Sequence, residues 1–320
     1  MASGRILQSV LRPGGPHATS IHDLWLLMLW TSAVVFVVVL AFVVASLVHG
    51  IRARRLGAPP GPSENSLGAF VSGAVVLTCV ILLGLLIASV WTGRHVASLR
   101  ADSAVTISVT GHQWWWEVEY EDARPSRRVL TANEIHLPLQ RPVAIKVTSR
   151  DVIHSLWIPN LQGKRDLIPG YTTAIWLQAD QPGRFRGQCA EFCGLQHAHM
   201  AFDVVAEPDT DFERWLEHLR EPAESPAGAV ERRGLELFSS RRCASCHTVR
   251  GTEAAGQAAP DLTHVASRLT LASGTLPNTP AHRRSWIRDP QQPKPGTQMP
   301  ASPLPEEELT ALGAYLDTLR

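Results

Sequence analysis

The chain has 320 residues, with 30 basic and 29 acidic side chains and a formal net charge of +1. That balance excludes the basic footprint of a nucleic-acid binder, and the length suits two or three domains. The hydrophobic share of 45% is ordinary, yet it is concentrated near the N-terminus, and four of the five cysteines fall in two short clusters.

Leu24 to Val48 and Leu67 to Val90 contain no charged residue. At about 1.5 Å per helical residue, each is long enough to cross a hydrocarbon core about 30 Å thick. The alternative, a signal peptide followed by a buried core helix, fits poorly. The first run is too long for a signal h-region, and no A-x-A site follows it. The loop between the runs, His49 to Ser66, carries Arg52, Arg54 and Arg55 and is expected on the cytoplasmic side. Arg5 and Arg12 before the first run, and Arg94 and Arg100 after the second, weaken that bias. With the loop inside, both termini and everything after about Trp91 lie outside.

From Val105 the period changes to two. Val105, Ile107 and Val109 alternate with polar residues; Val143, Ile145 and Val147 repeat the pattern after Pro142; Ile175 and Leu177 continue it beyond the turn "IPGYT". Short strands separated by Pro and Gly predict a small all-β barrel or sandwich from about Ser103 to Ala206. Phe212, Trp215, Leu216 and Leu219 then predict a helix with Asp209 or Thr210 as N-cap. "EPAESPAGA", Glu221 to Ala229, reads as a linker. The last ninety or so residues are expected to be helical only at their ends, closing with a helix whose Leu309, Leu312, Tyr315, Leu316 and Leu319 share a face.

Two clusters carry the chemistry. "GQCAEFCGLQHAHM", Gly187 to Met200, has the spacing C-x3-C-x3-H-x2-M through Cys189, Cys193, His197 and Met200, with Glu191 between the cysteines. Thiolate, imidazole and thioether together favour copper, and less strongly zinc or an iron–sulfur cluster. A Cys189–Cys193 disulfide is the plain alternative, but its loop would be small and His197 and Met200 would have no role. His154, in "DVIHSLWIP" at the end of a strand, is a candidate ligand from elsewhere in the barrel; a lone histidine is more often a packed residue, and the cysteine loop is what raises its value. "CASCH", Cys243 to His247, is the C-x-x-C-H attachment signature of a c-type haem. A redox pair or half a zinc site is the alternative, and neither a βαβ pattern nor partner cysteines support it. Met299 in "TQMPAS" is the methionine available as a sixth haem ligand.

"GHQWWWEVEY", "DVIHSLWIP", "GKRDLIPGY" and "FRGQCAEFCGLQHAHM" resemble the motifs of subunit II of haem-copper cytochrome c oxidase. The segment around "CASCH" resembles a class I cytochrome c, as found fused to some bacterial subunits II. The resemblance implies a multidomain membrane protein. Its parts would be an N-terminal segment (1–22), a transmembrane helical hairpin (23–92), an all-β cupredoxin-like CuA domain (103–206), a helix and linker (207–229) and an all-α cytochrome c domain (230–320).

It also implies a dinuclear copper centre, CuA. Cys189 and Cys193 would bridge the coppers, His154 and His197 would each bind one, and Met200 and the carbonyl of Glu191 would be weaker ligands. The Glu191 side chain would bind Mg or Mn at the subunit interface, and Trp114 would be the electron-entry residue, with Trp115 a packing residue. In the C-terminal part Cys243 and Cys246 would become haem thioethers, His247 and Met299 axial ligands, and the Pro260 carbonyl would orient His247. Gly234, four residues before Phe238, would let the terminal helices cross.

The activity implied is electron entry in a bacterial aerobic terminal oxidase, from the fused haem c to CuA and on to another chain that reduces O2 to water. Implied partners are oxidase subunits I and III, cytochrome c or another external donor, and membrane lipid. The implied location is the bacterial plasma membrane, with the redox domains on the periplasmic side. The rivals are a stand-alone membrane-tethered electron carrier, a copper-handling assembly module and a quinol oxidase subunit. Two positions depart from the family pattern: Tyr171 replaces an arginine after "IPG", with Lys164 and Arg165 nearby. Gly68 stands where a proton-entrance glutamate is usual, with Glu64 one turn earlier.

Overall fold

The structure is a computed structural model and describes residues 6–57, 63–99 and 105–320. The expected barrel start at Ser103 and the flanking Arg5 and Arg100 lie outside the described residues. The chain divides into two units, Thr19–Arg100 and the remainder.

The first unit consists of α1 (Pro16–Leu56) and α2 (Glu64–Ser98). Both helices run past the uncharged stretches into polar flanks, and both are long and apolar enough to cross a membrane. Their valines, leucines and phenylalanines are exposed, as lipid-facing side chains must be. Ser63 caps α2 by accepting a hydrogen bond from the Ser66 amide, and Glu64 in the first turn complements the helix dipole. Phe42 and Phe70 meet edge to face at 5.6 Å.

In the second unit ten strands follow one another: β1 (Thr106–His112), β2 (Trp115–Tyr120), β3 (Val129–Ala132), β4 (Glu134–Pro138), β5 (Val143–Ser149), β6 (His154–Trp157), β7 (Arg165–Leu167), β8 (Thr173–Leu177), β9 (Gly183–Cys189) and β10 (Ala201–Glu207). They form two five-stranded sheets, ordered β3-β2-β1-β5-β8 and β4-β10-β9-β6-β7. Parallel pairing of β1 with β5 sets Ile107 beside Ile145 and Val109 beside Val147. These residues and Ile135, Leu137, Phe202 and Val204 from the second sheet enter one core. Residues 6–15 lie along this barrel, with Leu7 exchanging backbone hydrogen bonds with Arg184 and Arg186.

α3 (Asp209–Arg220) puts Phe212, Leu216 and Leu219 into the barrel core. Its N-cap is Pro208, not Asp209 or Thr210. The Pro208 carbonyl accepts from the Asp211 and Phe212 amides, and Asp209 and Asp211 fall in the first turn, where the helix dipole favours them.

The C-terminal part contains α4 (Ala229–Ser240), a hairpin of β11 (Thr270–Leu271) and β12 (Leu276–Pro277), α5 (Pro280–Arg288) and α6 (Glu306–Thr318). α5 corrects the expectation of helices only at the ends. Its buried residues are Arg283 and Ile287, so it lacks the apolar stripe that periodicity detects. Arg283 is instead paired with Asp317 of α6 at 2.6 Å. The readable signal was Thr279-Pro280: Thr279 caps the helix and Pro280 starts it. α4 and α6 cross at Gly234, where an added Cβ would lie 2.1 Å from the Ala311 carbonyl oxygen and 2.6 Å from Tyr315 Cβ. Phe238, Leu309, Leu312, Tyr315 and Leu316 share the core beneath that crossing. The segment between α3 and α4 is pinned to the rest, with the Ala223 amide on the Arg250 carbonyl at 2.8 Å and His264 Nε2 on the Glu221 carbonyl at 3.0 Å.

Candidate functional site

β9 ends at Cys189, and the chain turns through Cys193 and a short helical turn at His197–His199 before re-entering the sheet as β10. The turn brings the donors of one loop together. Cys189 Sγ and Cys193 Sγ are 3.7 Å apart, His197 Nδ1 is 3.6 Å and Met200 Sδ 3.8 Å from Cys193 Sγ, and the Glu191 carbonyl lies 3.2 Å from Cys189 Sγ. Both cysteines are free, so the disulfide alternative does not describe this structure. His154, on β6, approaches from the neighbouring strand, because β6 pairs with β9 at Leu156 and Cys189. Its Nδ1 lies 3.9 Å from Cys189 Sγ. His154, Cys189, Cys193 and Met200 are all buried.

Asp151, outside the ligand-type residues of the two clusters, orients His154. Its Oδ1 meets His154 Nε2 at 2.8 Å, leaving Nδ1 toward the sulfurs, and its Oδ2 accepts the Gln113 amide at 2.7 Å. Its position three residues before His154 in the same motif was the available signal. Burial opposes charge on His154, yet its contacts with Cys189 and Asp151 raise its pKa.

The cysteine pair is electrostatically one-sided. Hydrogen bonding from Cys193 brings the Cys189 thiol down to about 3, against desolvation and with help from His154. Cys193 is pushed up strongly, first by that same bond and then by burial. Two adjacent thiolates therefore need positive charge between them, which a metal supplies. With soft sulfur, imidazole and a thioether in one buried pocket, the donor set fits copper.

Of the three consecutive tryptophans, Trp116 is fully buried against Phe202 and His154, and Trp115 stacks on His112 at 4.2 Å. Trp114 is the one joined to the loop: its indole Nε1 donates to the Cys193 carbonyl at 2.9 Å, beside Gln113 Nε2 at 2.8 Å. The Glu191 side chain pairs with Lys164 at 3.2 Å. Lys164 also reaches Asp166 at 3.6 Å, and Tyr171 is exposed.

In the C-terminal part Cys243 begins a short helical turn directly after α4 and Cys246 closes it, both free thiols. His247 Nδ1 engages the Pro260 carbonyl at 2.7 Å, which leaves Nε2 available. Burial lowers the His247 pKa, favouring the neutral ligand form. The chain closes tightly over the motif at Gly256, where a Cβ would lie 2.5 Å from the Cys246 amide nitrogen. Met299 packs on the same apolar cluster as Cys243. The Oη of Tyr315, in that cluster, is buried without a hydrogen-bond partner. Paired thiols, a neutral imidazole with one free nitrogen and an apolar core fit a covalent haem.

Comparison with known proteins gives two family matches, "Cytochrome C oxidase subunit II, periplasmic domain" over residues 123–207 and "Cytochrome c" over residues 231–320. Cytochrome c oxidase subunit 2 of Alkalihalophilus pseudofirmus is 35% identical, covering 98% of this chain and 91% of that protein. The Bacillus subtilis protein of the same name is 28% identical over 99% of this chain and 93% of its own length. Quinol oxidase subunit 2 of Bacillus subtilis is 30% identical over 67% of each. Among solved structures, the periplasmic domain of subunit II of cytochrome oxidase from Bradyrhizobium japonicum is 30% identical with a TM-score of 0.36, covering 38% of this chain and 96% of that one.

Proposed function

Because the chain belongs to the cytochrome c oxidase subunit II family, with a cytochrome c domain at its C-terminus, we propose that it is the electron-entry subunit of its oxidase. Membership makes it a membrane-anchored part of a haem-copper oxidoreductase, with subunit I as its partner. The family models imply CuA and haem c. When bound, these groups supply one-electron redox chemistry, along a path we infer to run from an external donor to haem c, then CuA, then the chain that reduces O2 to water.

The protein's own residues hold and orient. Cys189 and Cys193 would hold the copper pair as thiolates, with His154, His197, Met200 and the Glu191 carbonyl completing the set. Asp151 fixes the tautomer and tilt of His154. Cys243 and Cys246 would anchor the haem and His247 and Met299 would ligate its iron, while the Pro260 carbonyl holds the imidazole. Trp114 ties the barrel edge to the copper loop. The Glu191 carboxylate, paired here with Lys164, is the candidate for Mg or Mn at the subunit interface. The arginines closing α1 support a loop on the cytoplasmic side of a bacterial plasma membrane, with both termini and both redox domains outside. Subunit III, and cytochrome c or another external donor, are the further partners proposed.

One observation carries the reading: a buried sulfur, imidazole and thioether cluster and a C-x-x-C-H turn stand on one membrane-anchored chain. Purification from membranes with metal and haem analysis tests it. Two coppers and one covalent haem per chain, a mixed-valence paramagnetic signal and co-purification with a large haem-copper subunit are expected. A Cys189–Cys193 disulfide, or a stable chain purified alone, would overturn it, the second outcome in favour of a free-standing carrier.

A further inference from the structure

Lys294 lies five residues before Met299 and is 2% exposed, which is unusual for a lysine. Its ammonium has three partners, the carbonyl oxygens of Trp114 at 2.8 Å, His199 at 2.9 Å and Ala272 at 2.9 Å. None is a carboxylate, and burial pulls the group down to about 7. An ammonium has three N–H donors and no acceptor, so three converging carbonyls satisfy it completely. The cost of burying it is offset only while all three stay in place.

Those carbonyls come from both domains. Trp114 lies between β1 and β2, and His199 is in the copper loop just before Met200. Ala272 belongs to the hairpin region of the cytochrome. Around this centre runs a polar seam. Gln196 Nε2 donates to the Pro295 carbonyl at 2.6 Å, and the Ala201 amide donates to the Ser273 carbonyl at 3.0 Å. Ser273 Oγ donates back to the Ala201 carbonyl at 2.7 Å, Thr270 Oγ1 to Asp203 at 2.8 Å, and the Leu269 amide to Glu134 at 2.9 Å. Since Trp114 donates in turn to the Cys193 carbonyl, two hydrogen bonds separate Lys294 from the backbone of a copper-loop cysteine.

We propose that Lys294 is a positioning residue for electron entry: held by carbonyls of both domains, it locks the Met299-bearing segment against Trp114 and the copper loop, so that the fused cytochrome is a docked donor rather than a tethered one. The inference rests on the reading of the two sites given above. A tethered partner must diffuse before each transfer, so its rate follows viscosity and linker length. A docked one is already in place, and its transfer is insensitive to viscosity.

The test uses the full-length chain in its purified oxidase, with Lys294→Met, Lys294→Gln and Lys294→Arg variants. Two readouts are taken: hydrogen exchange at the Ala201 and Leu269 amides, which cross the seam, and the rate of haem-to-copper electron equilibration in buffers of rising viscosity. The unmodified protein should protect both amides and show no viscosity dependence. Lys294→Met should keep the haem and copper spectra, speed exchange at both amides about ten- to a hundred-fold, and give a slower, viscosity-dependent transfer. Lys294→Gln should be intermediate, and Lys294→Arg, which keeps charge and donors, should restore protection. Unchanged exchange and transfer in the Met and Gln variants would overturn the proposal, as would a viscosity-dependent rate in the unmodified protein even if a variant failed to assemble. Absence of copper or haem from the unmodified protein would instead defeat the functional reading, before any variant was compared.

Discussion

The proposed copper donors come from separate parts of the chain, His154 on β6 and the loop after β9, and the folded barrel gathers His154, Cys189 and Cys193 donor atoms within 4.8 Å of one another. The proposed haem anchors Cys243, Cys246 and His247 sit in a single turn and need no distant partner to meet. The difference teaches where stability must come from. The barrel has a large core assembled from both sheets and α3, so its site is organised by protein alone. The cytochrome domain has a smaller core with Cys243 and Met299 at its edge and Tyr315 Oη unpartnered, which fits an interior that a bound prosthetic group would complete.

The strongest way to break that contrast is to remove the haem anchor. Replacing both Cys243 and Cys246 by Ala should abolish covalent haem and cost the C-terminal domain roughly its whole stability, on the order of 5 kcal/mol. Proteolysis should then cut within residues 230–320 while the barrel amides stay protected. Persistent protection of α4 and α6 without haem would show that the two regions do not differ in this respect.

Gly234→Ala probes the same domain with its cofactor in place. A Cβ 2.1 Å from a backbone oxygen forces α4 and α6 apart, and the expected loss is about 1–3 kcal/mol, read as a lower thermal transition for the cytochrome with an unaltered copper signal. An unshifted transition would mean that the helix crossing is not tight.

The barrel responds instead to pH. His136 is buried, stacked on Trp215 at 3.8 Å, with Glu134 at 3.0 Å and Glu207 at 2.6 Å. Burial opposes its charge, but the two carboxylates win and lift its pKa above 6.5. Its stabilising contribution is therefore complete below pH 6.5 and is lost as pH rises through the raised native value. Glu134 has the opposite window. Burial raises its pKa, but the His136 contacts outweigh it and the net shift is downward. Its contribution is present above the ordinary carboxylate range and is lost as pH falls through the depressed value. Denaturant melts should show barrel stability declining on the alkaline side, and His136→Gln should flatten that limb. An unchanged alkaline limb would remove the ion pairs from the account.

The smallest structural effect is expected at Met200, which is fully buried against Cys193 Sγ. Met200→Leu conserves volume and should cost less than about 1.5 kcal/mol. It should keep copper and haem yet shift the copper potential and slow electron passage, measured by redox titration and flash kinetics. A potential unchanged by the substitution would take Met200 out of the ligand set.

Much of this is legible in the sequence. Uncharged runs marked α1 and α2, alternation at Ile107–Val109 and Val143–Val147 marked the sheets, and i, i+3, i+4 spacing marked α3 and α6. α5 escaped because its inward residues are Ile287 and Arg283, the latter ion-paired to Asp317, rather than an apolar face. Asp151 offered only its place three residues before His154, and Lys294 offered nothing, since local sequence does not distinguish a lysine that will meet three carbonyls from a solvated one.

What the sequence determined by itself are features set by near neighbours: helix length, strand period, and the donor spacings of C-x3-C-x3-H-x2-M and C-x-x-C-H. Those follow from the reach of a few bonds and the repeat of a helix or strand. The tertiary structure alone decided that His154 faces the cysteine loop and that the cytochrome seats on the barrel through a buried ammonium. Both require segments remote in the chain to arrive in one place, which depends on how whole sheets and helices pack.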